Sequence, residues 1–295
     1  MSAHFQDWMK STQQQFEVLL ASFLPSTDAI PAKLHEAMRY ATLDGGKRVR
    51  PLLVYAAGFM FDAPADLLAR AAAALEMIHA YSLVHDDMPC MDDDALRRGK
   101  PTVHVKYDEA TALLVGDALQ AQAFLVLAEA ESESSRQVAM LRLLAQAAGS
   151  IGMCGGQAID LASVGVALTV GQLEQMHRLK TGALLRASVI MGAMCGKTLS
   201  AAEVAALDAY ASAIGLAFQV VDDVLDATAD SATLGKTAGK DAADNKPTYV
   251  SLLGLEASQA LAKKLCDDAH AALLPFGEKA HILRNLADLI VQRKA

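Results

Sequence analysis

Between Pro101 and Pro247 the chain contains no proline. Proline removes a backbone donor and clashes with the preceding turn, so almost half of the 295 residues carry nothing that forces a helix to stop. Apolar residues recur at helical spacing there and elsewhere, as in Leu67, Leu68, Ala71, Leu75, Ile78 and again in Leu207, Tyr210, Ile214, Phe218, Val221. Strand-type alternation is hard to find, and only 5% of the chain is aromatic. The pattern predicts an all-α fold of about ten helices, one bundle spanning 1–295 around a central cavity or core. Breaks are expected at Pro25–Asp28, Asp44–Gly46, Asp62–Pro64, Pro89–Thr102 and Ser163–Thr169. The polar stretch Asp230–Pro247, with its glycines and lysines, reads as a long loop that orders on ligand binding.

Charge and cysteine usage narrow the function. A net charge of -8 argues against a nucleic-acid binder, so an anionic ligand must be drawn in locally by a basic cluster or a metal. Cys90, Cys154, Cys195 and Cys266 form no C-x-x-C pair; reduced thiols and a cytoplasmic protein are expected. The N-terminus lacks the basic start and apolar stretch of a signal peptide. No 18 apolar residues run uninterrupted, so no membrane span is expected.

Two acidic clusters stand out. "HDDMPCMDDD" contains Asp86, Asp87 and Asp92, and "FQVVDDVLD" contains Asp222, Asp223 and Asp226. Asp222 and Asp226 are four apart and share a helical face, where like charges repel unless a cation neutralises them. Asp86 and Asp92 share no face of an unbroken helix, but Pro89 lets the chain turn and bring Asp92 back. Acidic runs are ordinarily solvated surface; two of them, each after an apolar helical stretch, suit a hard cation instead. Mg²⁺ takes carboxylates, water and phosphate oxygens, so the clusters point to a diphosphate held through several Mg²⁺ ions, with Mn²⁺ able to substitute.

Basic residues complete the balance. "GGKRVRP" places Lys47, Arg48 and Arg50 after a Gly-Gly break, and Arg97 and Arg98 follow the first acidic cluster. They are candidates for a metal-free phosphate site, Arg by bidentate pairing and Lys as a point charge. "HRLKTGALLRAS" puts Lys180 and Thr181 in an apolar helix, and Gln219 sits one turn before Asp223. His79 lies seven residues before Asp86, on nearly the same face, and reads as a donor to phosphate. Three E-x-x-H patterns, Glu76/His79, Glu174/His177 and Glu278/His281, raise a di-iron carboxylate protein as a rival. It fares poorly: Glu278 and His281 point away from the apolar stripe of the last helix, and Arg178 and Lys180 are poor neighbours for iron. His85-Asp86 mimics an H-D phosphohydrolase, which leaves the second acidic cluster unexplained.

"GGKRVRP", "HAYSLVHDDMPCMDDDALRRGKPT", "GQAIDL", "KTGALLRAS" and "FQVVDDVLD" resemble, in order and spacing, the short-chain trans-prenyl diphosphate synthases, most closely the bacterial farnesyl diphosphate synthase type. The similarity runs from about Leu34 to the end. It implies a helical fold around a deep cavity, usually as a homodimer. It also implies a reaction: an allylic diphosphate ionises, the carbocation alkylates isopentenyl diphosphate, and a proton is lost. By the same resemblance Asp86, Asp92, Asp222 and Asp226 reach Mg²⁺, with Asp87 close by and Asp160 and Asp241 as weaker additions. Arg97, Lys180 and Lys236 would hold the allylic diphosphate, with Lys246 a further candidate and Lys240 exchangeable with Lys236. Lys47, Arg50, His79 and Arg98 would hold isopentenyl diphosphate, and Thr181 and Gln219 would face the cation.

Within the class, a geranylgeranyl diphosphate synthase is the alternative. A class I terpene cyclase fits less well, because "GGKRVRP" is present and the second motif is D-D-V-L-D. A catalytically dead partner subunit should have lost aspartates, and this chain has lost none. Tyr81 and Ser82 lie five and four residues before Asp86, roughly 6–7.5 Å deeper along the helix. In the resembling family an aromatic side chain there goes with a C15 product, so Tyr81 is the expected floor of the cavity.

Overall fold

The computed structural model describes residues 3–43, 45–228 and 247–293. The expected loop and its Lys236, Lys240, Asp241 and Lys246 therefore lie outside the described residues. The helices are α1 (Ala3–Ser22), α2 (Ala32–Thr42), α3 (Val49–Phe59), α4 (Ala65–Asp86), α5 (Val103–Lys106), α6 (Glu109–Ala128), α7 (Ser134–Ala148), α8 (Met153–Ala162), α9 (Val170–His177), α10 (Ala183–Gly196), α11 (Ala201–Thr228), α12 (Tyr249–Leu253), α13 (Leu255–Ala272) and α14 (His281–Gln292). A π-helical turn, Arg178–Gly182, joins α9 to α10, and a 3₁₀ segment, Leu274–Ala280, precedes α14. The five expected breaks fall between helices. Among the described residues the only sheet is a two-residue antiparallel pair, Leu96–Arg97 with Lys100–Pro101.

α4 is the axis. From Leu67 to Val84 it is buried on nearly every side, and its run Ala71–Ala74 has no exposed surface. Small side chains let α3, α6 and α10 approach closely, which is why this helix shows no polar face. A charge this deep needs a partner. Glu76 on α4 receives the Arg48 guanidinium at 2.7 Å, and Arg48 also binds Glu17 and the Thr42 carbonyl. α11 packs mainly along α13, and α10 along α3.

Among the described residues, four stretches are long and apolar enough to cross a bilayer by length and composition: Ala65–Asp86, Glu109–Ala128, Ser134–Ala162 and Ala201–Thr228. An uninterrupted apolar run is thus too strict a criterion for this chain. The first of these is α4, whose apolar circumference is met by other helices.

Candidate active site

The first acidic cluster is built where α4 ends. The chain turns through Met88–Asp93 with Asp93 at φ +50°, and the Asp92 amide donates to the Asp86 carbonyl at 2.9 Å. The turn expected at Pro89 thus folds Asp92 back beside Asp86. Burial pushes the Asp86 carboxyl up to about 6, with Asp92 and Asp87 adding to the rise and Lys180 and Arg97 opposing it.

Asp87 departs from expectation. It is buried, and both of its oxygens accept from Arg97 Nε at 2.8 Å, with a third contact from Nη2. In this structure Asp87 anchors Arg97, because a carboxylate taken out of water needs the best cation within reach. Arg97 is correspondingly turned to Asp87 and Asp94 and does not line the cavity beside Asp86.

That cavity, of about 350 Å³, is lined by Arg50, His79, Tyr81, Ser82, Asp86, Lys180 and Thr181 among others. Lys180 Nζ donates to Asp160 at 2.5 Å. Its position depends on the π-helical turn and on Gly156, where a Cβ would lie 2.1 Å from the Lys180 nitrogen. Tyr81 is buried at the cavity wall, with its hydroxyl 3.6 Å from Cys154 Sγ. Ser82 gives its hydroxyl to the His79 carbonyl.

A second cavity, of about 560 Å³, is lined by Lys47, Arg48, Arg50, Glu76, His79, Arg98 and Phe218, with Gly45 and Gly46. Gly46 has φ +89°, and a Cβ there would lie 2.6 Å from an Arg98 guanidinium nitrogen, so the glycine admits Arg98 to this wall. All four residues expected to bind isopentenyl diphosphate meet here. Their charges oppose one another. Burial brings Arg50 down to about 10, Arg98 adding to the fall and Glu76 opposing it. Burial and then Arg50, Arg98, Arg97 and Arg48 hold His79 well below its usual range. Burial lowers Lys47 and Arg98 as well. Arg50 Nε is buried without a hydrogen-bond partner in the structure, a donor that a bound anion would satisfy. Arg48 is distinct from its neighbours, since its guanidinium is spent on Glu17 and Glu76.

The second acidic cluster lies on the last turns of α11. Asp226 and Asp223 are buried, and Asp223 accepts from the Tyr249 amide at 2.7 Å, which fixes the start of α12. Asp222 is more open and takes Arg293 at 2.5 Å. Arg293 also lies over the Phe218 ring, 3.8 Å from its centroid, and donates to the Phe218 carbonyl. Sequence reasoning missed Arg293: it stands 71 positions from Asp222, in a terminal "QRKA" with no local pattern. Gln219 is half-buried on α11, one turn before Asp223. Of the E-x-x-H residues, Glu76 is committed to Arg48, Glu174 to Arg178, and the His177 ring packs at a tilt against Tyr249.

Asp86, Asp92, Asp222 and Asp226 offer only hard carboxylate oxygens, and that donor chemistry fits Mg²⁺.

A largely apolar cavity with Asp86 and Lys180 in its lining, sharing Arg50 and His79 with a basic cavity, suits an all-α protein that takes an anionic head group together with an apolar chain. The chain belongs to the polyprenyl synthetase family, which its residues 31–273 match. It is 52% identical over 282 residues to a probable farnesyl diphosphate synthase of Sinorhizobium fredii, covering 95% of this chain and 85% of that one. It is 46% identical over 295 residues to the farnesyl diphosphate synthase of Escherichia coli, covering 98% and 99%. A Helicobacter pylori geranyltransferase, solved with magnesium and isoprenyl diphosphate, superposes with a TM-score of 0.85 at 34% identity, over 98% and 97% of the two chains.

Proposed function

We propose that the protein is a farnesyl diphosphate synthase, condensing dimethylallyl and then geranyl diphosphate with isopentenyl diphosphate. The observation that carries this is the pair of cavities sharing Arg50 and His79, one largely apolar with Asp86 and Lys180 in its lining, the other basic. Mg²⁺ held by Asp86, Asp92, Asp222 and Asp226 would supply the positive charge that lets the allylic diphosphate leave. Lys180 stands in the same cavity and adds charge to that head group, with Arg97 reaching it on release from Asp87 and Lys236 as a further candidate. Lys47, Arg50, His79 and Arg98 hold isopentenyl diphosphate without metal. Thr181 and Gln219 place oxygen dipoles toward the cation. The apolar lining keeps water from it. No side-chain base is needed, since the released diphosphate can take the proton.

The same reading covers the whole chain as one functional unit in the cytoplasm, in keeping with four free cysteines. It treats the four long apolar helices as core helices rather than spans. It includes a homodimer, which the exposed Leu113, Leu114 and Leu125 on α6 support. The test is to incubate the pure protein with Mg²⁺, isopentenyl diphosphate and each allylic diphosphate. Chromatography of the dephosphorylated products should give farnesol as the main alcohol; a dominant C20 alcohol would make it a geranylgeranyl diphosphate synthase, and a cyclic hydrocarbon would make it a cyclase.

A further inference from the structure

Away from both cavities, α13 and α14 bring three unlike donors together. Cys266 and His270 are four apart on α13 and so share a face; Asp288 comes from α14. Cys266 Sγ lies 3.5 Å from Asp288 Oδ1, and His270 Nε2 lies 3.0 Å from the same oxygen. One ligand atom of each falls within 4.8 Å of the others. The His270–Asp288 contact is not a hydrogen bond. Nε2 is buried from solvent and without a hydrogen-bond partner, so Oδ1 sits off the axis along which that nitrogen donates or accepts. Converging ligands show this geometry. Atoms around one tetrahedral ion lie about 3–3.7 Å apart while their lone pairs aim at the ion between them, not at each other.

We propose that Cys266, His270 and Asp288 form a binding site for a zinc-type divalent ion, which joins α13 to α14. A thiolate, an imidazole and a carboxylate are a borderline-soft set, in contrast to the all-carboxylate clusters of the active site. Three protein ligands leave a fourth position to water, and the imidazole and carboxylate are each about one-third exposed, which gives an ion a way in. A nucleophilic triad does not fit. The carboxylate, not the imidazole, contacts the sulfur, and burial together with Asp288 pushes the thiol up to about 11. Metal binding reverses that: the sulfur–metal bond forms as the sulfur–hydrogen bond breaks, and one proton leaves to solvent. The ion would fix α14 at Asp288, five residues before Arg293, the residue that reaches Asp222.

Cobalt(II) is the probe, added to the full chain in excess Mg²⁺ so that the active-site carboxylates are occupied. One equivalent should produce a sulfur-to-cobalt charge-transfer band with tetrahedral visible bands, and Zn²⁺ should bleach both. Loss of an outer-shell partner alone weakens metal binding about 10–100-fold, so His270→Ala and Asp288→Asn should each weaken cobalt by more than that. Cys266→Ser should abolish the charge-transfer band. Absence of the band from wild type would overturn the proposal. So would its survival in Cys266→Ser, which would put the metal on exposed Cys90 or Cys154. The wild-type spectrum and the His270→Ala titration decide the matter even where Cys266→Ser fails to fold.

Discussion

The two charged halves of the active site fail in opposite ways. Around Asp86, carboxylates crowd together under burial, and the carboxyl is held up to about 6. Around Arg50, cations crowd together under the same burial, Arg50 is brought down to about 10, and Lys47, His79 and Arg98 are lowered too. Where the chain needs only stability it pairs its charges, as Arg48 does with Glu76 and Glu17. On the proposed reading, the crowding of like charges reflects what each half receives: cations on one side, an anion on the other. A diphosphate can enter the basic half directly. On the proposed reading it enters the acidic half with metal.

The largest effects follow from removing the cations' seats. EDTA should abolish turnover and Mg²⁺ restore it; undiminished turnover in excess chelator would erase the contrast between the halves. Asp86→Ala and Asp222→Ala should each lower kcat by about 10³-fold or more, measured by radiolabelled product formation. Arg48→Ala should act on the fold instead. Leaving Glu76 buried and unpaired should cost about 3–5 kcal/mol in denaturant unfolding.

Next come the basic residues, where the two substrates separate. Lys47→Ala and Arg98→Ala should raise KM for isopentenyl diphosphate about 10-fold or more, with KM for the allylic substrate nearly unchanged, as expected on losing a charged hydrogen bond. Arg50 lines both cavities, so Arg50→Ala should affect both substrates, isopentenyl diphosphate more. Arg97→Ala should show the reverse bias. Equal losses for both substrates in Lys47→Ala would merge the halves into one site. Tyr81→Ala should leave the rate largely intact and shift product from C15 to C20 or longer, because it removes the buried ring whose hydroxyl meets Cys154 at the cavity wall. An unchanged C15 distribution would move the floor elsewhere.

The smallest effect is on stability against pH. Burial brings His177 down to about 4 from an ordinary 6.5. The folded state then binds this proton more weakly than the unfolded chain, so stability is fully present above pH 6.5 and is lost as pH falls toward 4. Asp86, raised, slopes the other way between 3.8 and about 6. His177→Gln should flatten the fall in Tm over that range by comparison with wild type.

Much of this was legible in the sequence because it is local. Proline-free helical periodicity gives the fold class, the aspartate spacing gives the clusters, and Pro89 gives the turn that returns Asp92. The Gly-Gly segment gives the basic cavity. Some local signals went unused: Ser200 and Glu203 cap α11 reciprocally, an S-x-x-E pattern that announces the break before it. The partnerships were not legible, because they are set by which helices meet. Nothing in "HDD" says that Asp87 is buried under Arg97 while Asp86 faces the cavity. Nothing in "VVDD" says that Asp223 holds the Tyr249 amide. Arg293 and Cys154 reach the site from distant helices for the same reason.

Binding measured with and without metal tests the opposite-charge account most directly. Isothermal titration of isopentenyl diphosphate should give nearly the same Kd in EDTA and in Mg²⁺. Geranyl diphosphate, titrated alone, should bind about 100-fold or more weakly in EDTA, a loss of roughly 2.7 kcal/mol. Isopentenyl diphosphate that needs Mg²⁺ as strictly as geranyl diphosphate, or geranyl diphosphate that binds equally without it, would contradict the account.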